Sequence, residues 1–391
     1  MTDARARTIT VHLTRPDGEF LERLADPLIL VAPAAHPFGG APPPGTGPYR
    51  IVSYDKHRGA RLVRNPRFRA WSPGTRPDGF ADEIVARGNP DRDAQVAAAQ
   101  RGEADVVLAV SPFGGAVPAS LPALATGHAG QLYTDPVPEL DYMFLNVRTP
   151  PFDDVRVRRA INYAVDRRRI AQLAGGPDLA QPTCQLLPPG FPTYRPSCRY
   201  TLNPDAGGGW SAPDLPRARR LIDQSGTAGM RVTVWINREK RGMARYFVSL
   251  LRELGYRSSL RVFHDYLAYR TAMAHSRAPA QMGIDGWIAD AAAPSEFTSP
   301  FRCASIAPRS VHNGNLPRFC DRPLEARIEA AQAARGPHAD ALWRHVYRDL
   351  EIASPAVPLV NRRSITFVSK RVGNYHNHPL WTTLLEQLWV H

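Results

Sequence analysis

Apolar residues recur with a helical period in NVRTPPFDDVRVRRAINYAVDRRR, residues 146–169. Val157, Ile161, Ala164 and Val165 stand at i, i+4, i+7 and i+8, one stripe of an amphipathic helix. The arginines take the remaining face, which reads as solvated. Pro150 and Pro151 keep the preceding residues extended, and Asp153 offers a side-chain oxygen to cap the helix start. Strand, turn and helix in succession predict a joint between two parts of the fold.

Before this joint the pattern is mainly that of strands. Ile9, Val11 and Leu13 alternate over 8–13, residues 17–24 predict a short helix, and an apolar run follows at 28–35. Gly45 and Gly47 mark a turn into a strand at 49–54, which pairs as a hairpin with 61–64. The GTG here lacks the G-x-x-x-x-G-K-[ST] spacing and precedes a strand, so it is a turn and not a phosphate loop. A strand at 84–87, a helix capped by Asp91 or Asp93 and stopped by Gly102, and a buried strand after it predict a βαβ unit. Residues 112–130, rich in Pro, Gly and Ala, predict a loop. YMFLN, 142–146, is the strand entering the joint.

Beyond the joint, 175–213 is irregular and the pattern then becomes regular. Asp214 caps a helix that Gly226 stops; Val232, Val234 and Ile236 alternate in a strand over 231–236. Met243, Phe247, Leu250, Leu251 and Leu254 make the stripe of a helix over 242–254. A strand at 259–263, a helix at 265–275 and a strand at 282–288 complete a β-α-β-α-β order. That order predicts a small parallel sheet with right-handed crossovers, and ligands sit beyond the carboxyl ends of such strands. The last strand runs into GWIAD, 286–290. Helices at 322–334 and 338–352 and extended segments at 357–361 and 364–369 precede the tail.

Composition narrows the function classes. The chain has 391 residues, 43% hydrophobic and 22% charged, as in globular proteins, and no run of transmembrane length. Its net charge of +13 invites a nucleic-acid reading. Yet three of its 49 basic residues are lysines and the arginines are scattered over the whole length. With 38 Pro and 29 Gly, this is the bias of a GC-rich genome, and no nucleic-acid partner is expected. The N-terminus MTDARARTITVHL has no signal-peptide core.

Cys184 with Cys198 and Cys303 with Cys320 form two local pairs, neither with zinc-ligand spacing. Two disulfides are expected, each closing a Pro-rich loop and worth roughly 3 kcal/mol in a chain-entropy model. Disulfides place the chain in an oxidising compartment. The alternative is four free buried thiols.

Several motifs now stand in one order: GTGPY at 45–49, AAAQRGEADVV at 97–107, PPFDDVRVRRAINYAVDR at 150–167, LLPPGFPTY at 186–194, PDLPRARRLI at 213–222 and SPAVPLVN at 354–361. In that order they resemble the extracytoplasmic solute-binding proteins of ABC transporters, of the peptide/nickel (oligopeptide and dipeptide) binding family. The resemblance implies an α/β, two-lobed periplasmic-binding-protein-like fold of type II, cluster C-like, closing over a ligand and docking on a membrane permease. Family members begin with a secretion signal, often with a lipid-attached cysteine, and further strands. Lobe one of this chain is therefore expected to be N-terminally incomplete. The expected division is 1–145 for the remainder of lobe one, β-rich with the βαβ unit; 146–352 for the second lobe; and 353–391 for a return segment.

For the site, the resemblance implies that Asp290, in its W-x-x-D arrangement, takes the α-ammonium of a peptide. Trp287 is a candidate apolar wall, Tyr142 and Asn146 are candidate hydrogen-bonding partners, and Phe297 is a further aromatic contact. Where family members often carry an aromatic and a polar residue after this Asp, here Ala291, Ala292 and Ala293 follow. His376 and His378 lack a third ligand, so no metal is expected, and no cofactor. No nucleophile elbow or linked Ser, Cys and His set occurs, so no enzyme is expected. The expected function is reversible capture of a peptide by an extracytoplasmic monomer of an ABC import system. The alternatives are a truncated, non-binding remnant and a sugar- or polyamine-type binder on the same scaffold.

Overall fold

The computed structural model describes residues 2–3, 8–26, 29, 42–70, 72, 79–88, 91–110, 118–307 and 313–391. Most of the apolar run at 28–35 lies outside the described residues. The chain divides into one unit of residues 1–26 and 138–361 and another of residues 27–137 and 362–391. Both boundaries fall inside long strands, Leu132–Leu145 and Ala356–Val368. The first 26 residues therefore belong with 138–361, not with the rest of 1–145. Ion pairs explain this: Arg23 binds Glu296 at 3.2 Å, and Gly18 N–H donates to Gln332 O at 2.6 Å.

In the first unit, Arg231–Asn237, Arg257–Phe263 and Met282–Ile288 form the expected parallel sheet. Arg231–Asn237 lies between the other two, and Met282–Ile288 pairs on its far side antiparallel with Leu132–Leu145, followed by Ala356–Val368. The helices follow from local signals. Asp214 accepts from Arg217 N–H at the start of Leu215–Ser225, and Gly226 ends that helix with φ of 67°, a conformation that favours glycine. Asp265 accepts from Ala268 N–H at the start of Tyr266–Ala274. Arg241–Glu253 and Val155–Ala164 bury Phe247, Leu251, Val157 and Ile161 against Met282 and Ile284 on one sheet face. Tyr266–Ala274 covers the other, where Tyr269 donates to Ile284 O at 2.8 Å. A Cβ on Gly283 would lie 2.6 Å from the Tyr269 hydroxyl and 2.7 Å from Phe144, so this approach requires glycine.

The segment 146–169, expected as the joint between two parts, lies wholly within the first unit, and its form differs from the expected one in three ways. Asp154, not Asp153, caps Val155–Ala164, and Val165 ends it in extended geometry. Asp166 then caps a second helix, Arg167–Leu173. Two arginines are also buried. Arg167 is 0% exposed, with its Nε donating to Thr183 O and Pro358 O and its Nη1 to Asn162 O. Arg158 and Arg159 donate to Ala353 O and Ile352 O, the open carbonyls at the end of helix Gly336–Ala353. Burial pushes the Arg158 and Arg167 pKa values down to about 10.

Both disulfides are formed, Cys184–Cys198 and Cys303–Cys320, with Cα separations of 5.2 and 4.6 Å. The segments expected at 357–361 and 364–369 are one strand, Ala356–Val368, because the polar Asn361-Arg362-Arg363 between them stays extended. Likewise Leu132–Leu145 begins ten residues before the expected strand, continuing through Pro136 and Pro138.

In the second unit, Tyr49–Asp55, Gly59–Arg64 and Glu83–Arg87 form an antiparallel meander. The expected βαβ unit is not there. Its first strand, Glu83–Arg87, pairs within the meander, whereas its second, Val106–Val110, pairs antiparallel with the end of Ala356–Val368. Asp91 caps the helix between them, Arg92–Gln100, while Asp93 accepts from Ala119 and Ser120 N–H. Those bonds anchor a helix, Leu121–Gly127, where a loop was expected; its Pro122 lies in the first turn, where no N–H is needed. At the N-terminus only Thr8–Ile9 of the expected 8–13 strand pairs, and Ile9 and Val11 are exposed.

Candidate ligand-binding site

Strand Met282–Ile288 places its residues alternately on the two sheet faces. Met282 and Ile284 enter the core under Arg241–Glu253, and Gly283, Asp285 and Trp287 take the face of Tyr266–Ala274. Its register sets Asp285 opposite Tyr142, Gly286 opposite Asp141 and Trp287 opposite Leu140. Ala289 N–H still donates to Pro138 O at 3.0 Å, and the chain then leaves the sheet. The alternation continues into the turn: Asp290 and Ala292 are exposed, Ala291 and Ala293 buried. Asp290 thus projects just past a strand's carboxyl end.

Its surroundings are acidic. Asp290 N–H donates to Glu296 Oε2 at 3.5 Å, and Arg23 bonds Glu296 at 3.2 Å, Asp17 at 3.2 Å and Glu19 at 3.0 Å. Burial raises the Glu296 pKa despite the Asp290 N–H bond and Arg23, and burial raises that of Glu19. The Asp290 carboxyl is also raised, first by partial desolvation and then by the Asp26 charge. Among the described residues no cation lowers it. An ammonium group placed at Asp290 would supply the missing positive charge.

The other sequence-derived candidates are placed differently. Trp287 is part-exposed on the sheet, with its indole N–H buried and unpartnered. Tyr142 is 1% exposed, with its ring 5.9 Å from Phe301, and burial followed by the Asp285 charge pushes its pKa well up. Phe297 is buried edge-on to Phe191 of the first disulfide loop, with centroids 5.5 Å apart. Asn146 does not join Asp290. Its N–H donates to Gln281 O, before the start of Met282–Ile288, so a strand length of roughly 20 Å separates it from Asp290. Its amide is engaged by Ala280 O at 2.9 Å and Arg148 N–H at 3.1 Å. In the second unit, His378 Nδ1 accepts from the N–H groups of Leu380 and Trp381, and His376 bonds Asn374.

Two buried ion pairs escaped the sequence reading. Asp141 meets Lys240 at 2.8 Å and Asp285 meets Arg270 at 2.8 Å, one pair on each sheet face. Burial raises the Asp285 pKa even though Arg270 and Lys240 lower it. The signal was available: an acid inside an apolar strand, as in MGIDGWI and ELDYMFL, requires a buried partner. Its identity was not, because Lys240 and Arg270 lie on other elements.

The family model described as bacterial extracellular solute-binding proteins, family 5, middle, matches residues 1–307. Heme-binding protein A of Haemophilus influenzae is 25% identical, over 95% of this chain and 66% of its own length. The dipeptide-binding protein of Escherichia coli is also 25% identical, over 95% of this chain and 68% of its own. Among solved structures, clavulanic acid biosynthesis oligopeptide binding protein 2 shares the fold with a TM-score of 0.81 at 24% identity, covering 97% of this chain and 69% of that one. The chain thus spans about two thirds of the length of these relatives. Because the family match runs through most of the chain, including the strand that presents Asp290, the chain belongs to the bacterial extracellular solute-binding proteins, family 5.

Proposed function

We propose that this chain is the peptide-binding component of an ABC import system, an extracytoplasmic monomer that captures its ligand reversibly and delivers it to a membrane permease. The observation that carries the reading is the exposed Asp290 carboxylate past the end of Met282–Ile288, among acids with no cation of its own. A peptide α-ammonium there forms a charge-assisted hydrogen bond, roughly twice as strong as a neutral one. Trp287, part-exposed three residues before Asp290, is the proposed apolar wall, while Tyr142 and Phe297 are buried in the core. Asn146 lies outside this site. Family membership and a relative named for dipeptides support the substrate class. No bond is made or broken.

Titration calorimetry with di- to pentapeptides tests this. Asp290→Asn is expected to weaken free peptides by about tenfold to a hundredfold, the value of one charged hydrogen bond, and to spare N-acetylated ones. Equal loss of both, or no binding of any peptide by the unaltered chain, sinks the assignment.

A further inference from the structure

At the end of the strand pair away from Asp290 lies a pocket of about 450 Å³. Arg148, Arg277 and Arg318 line it with Asn146 and Asn313, and no carboxylate lines it among the described residues. Two donors there are buried and have no partner among the described residues. Asn313 is 1% exposed; its Oδ1 accepts from Asn315 N–H at 3.0 Å, which fixes the amide orientation, and its Nδ2 has no partner. Arg318 is 7% exposed, with Nη2 donating to His275 O at 2.7 Å and to Met273 O at 3.3 Å, while Nη1 has no partner.

The arrangement is held rigidly. Arg318 has φ of 58°, uncommon for a side-chain-bearing residue. Its N–H donates to Asn315 O and its carbonyl accepts from Arg148 Nε at 3.1 Å, which holds its backbone, while the Nη2 bonds orient the guanidinium. The acceptors of Asn146 are already engaged, its side-chain oxygen by Arg148 N–H and its carbonyl by Thr149 N–H. Buried donors without acceptors are costly, and a bound acceptor removes that cost.

We propose that this pocket is an oxyanion-binding site, taking a phosphate or carboxylate group between Arg318 Nη1 and Asn313 Nδ2, with Arg148 and Arg277 adding charge. Desolvation and the adjacent Arg148 lower the Arg318 pKa, the mark of cations held together without a counter-charge. The volume of about 450 Å³ accommodates a small organic anion as well as an inorganic ion.

Titration calorimetry with inorganic phosphate and, separately, succinate, each against sodium chloride at equal ionic strength, provides the test. Saturable binding of at least one anion is expected, and which one binds separates a phosphate site from a carboxylate site. Asn313→Ala is expected to weaken binding about tenfold. Should that variant not fold, Arg277→Gln serves, since the Arg277 side chain is exposed; its ligand-free melting temperature stays unchanged and anion affinity falls. No saturable binding of either anion, or undiminished affinity in the variants, overturns the proposal.

Discussion

At one end of the antiparallel pair formed by Leu132–Leu145 and Met282–Ile288, Asp290 stands among Asp17, Glu19, Asp26 and Glu296, with Arg23 shared by three of these acids. At the other end, Arg148, Arg277 and Arg318 line a pocket without a carboxylate among the described residues. Between them the charges are matched one to one, Asp141 with Lys240 and Asp285 with Arg270. A matched pair in the sheet serves the fold, because each charge there already faces its opposite. Unmatched charge at a rim costs stability in the free protein and is recovered only by a ligand of opposite sign. The same strands therefore carry matched ions in their middle and unmatched ones, the proposed binding groups, at their ends.

The largest effect is expected in the middle. Asp285→Ala leaves Arg270 without its partner and should cost about 3 kcal/mol in urea unfolding. Asp290→Asn, by contrast, should leave unfolding nearly unchanged, because that carboxylate is exposed and without a cation. If both variants lose comparable stability, the distinction between middle and rim fails.

Arg23→Gln should cost about 1 kcal/mol by the same measurement, since its pairs with Glu19 and Glu296 are only part-buried. It should also raise the Glu296 pKa further, readable by carboxyl NMR titration.

The smallest effect is one of pH. Glu19, Asp290 and Glu296 hold their protons more tightly folded than unfolded. Their contribution to stability is therefore greatest at low pH and is lost as pH rises from the unfolded carboxylate range through their raised folded values. Peptide ligands should accordingly raise the melting temperature more at pH 7 than at pH 4. At the basic end the phosphate or succinate response should follow only the charge of the anion. A peptide response independent of pH would remove the acidic end from the comparison.

Much of the first unit was legible because its signals are local. The strand Arg231–Asn237 lies where the alternation of Val232, Val234 and Ile236 put it, and Asp214 and Gly226 cap and stop their helix as their neighbours required. Asp290 was legible from its place after W-x-x and from the family resemblance, while its acidic surroundings come from residues 17–26, remote in sequence. Partner choice was not legible. Glu83–Arg87 and Val106–Val110 read as neighbours in a βαβ unit, yet each found an antiparallel partner elsewhere, since an apolar pattern makes a strand without naming what it pairs with.

The sequence by itself determined the periods, the caps, the paired cysteines and the carboxylate after the last parallel strand, all within reach of a few neighbouring residues. Tertiary structure decided which charges would be buried. Arg158, Arg159 and Arg167 read as a solvated face, and became donors to helix-end and strand carbonyls 5 to 195 residues away. It also decided that Asn146 and Asp290 would lie at opposite ends of one strand pair. Both outcomes depend on register and on the hydrogen-bonding needs of distant backbone, which no local pattern records.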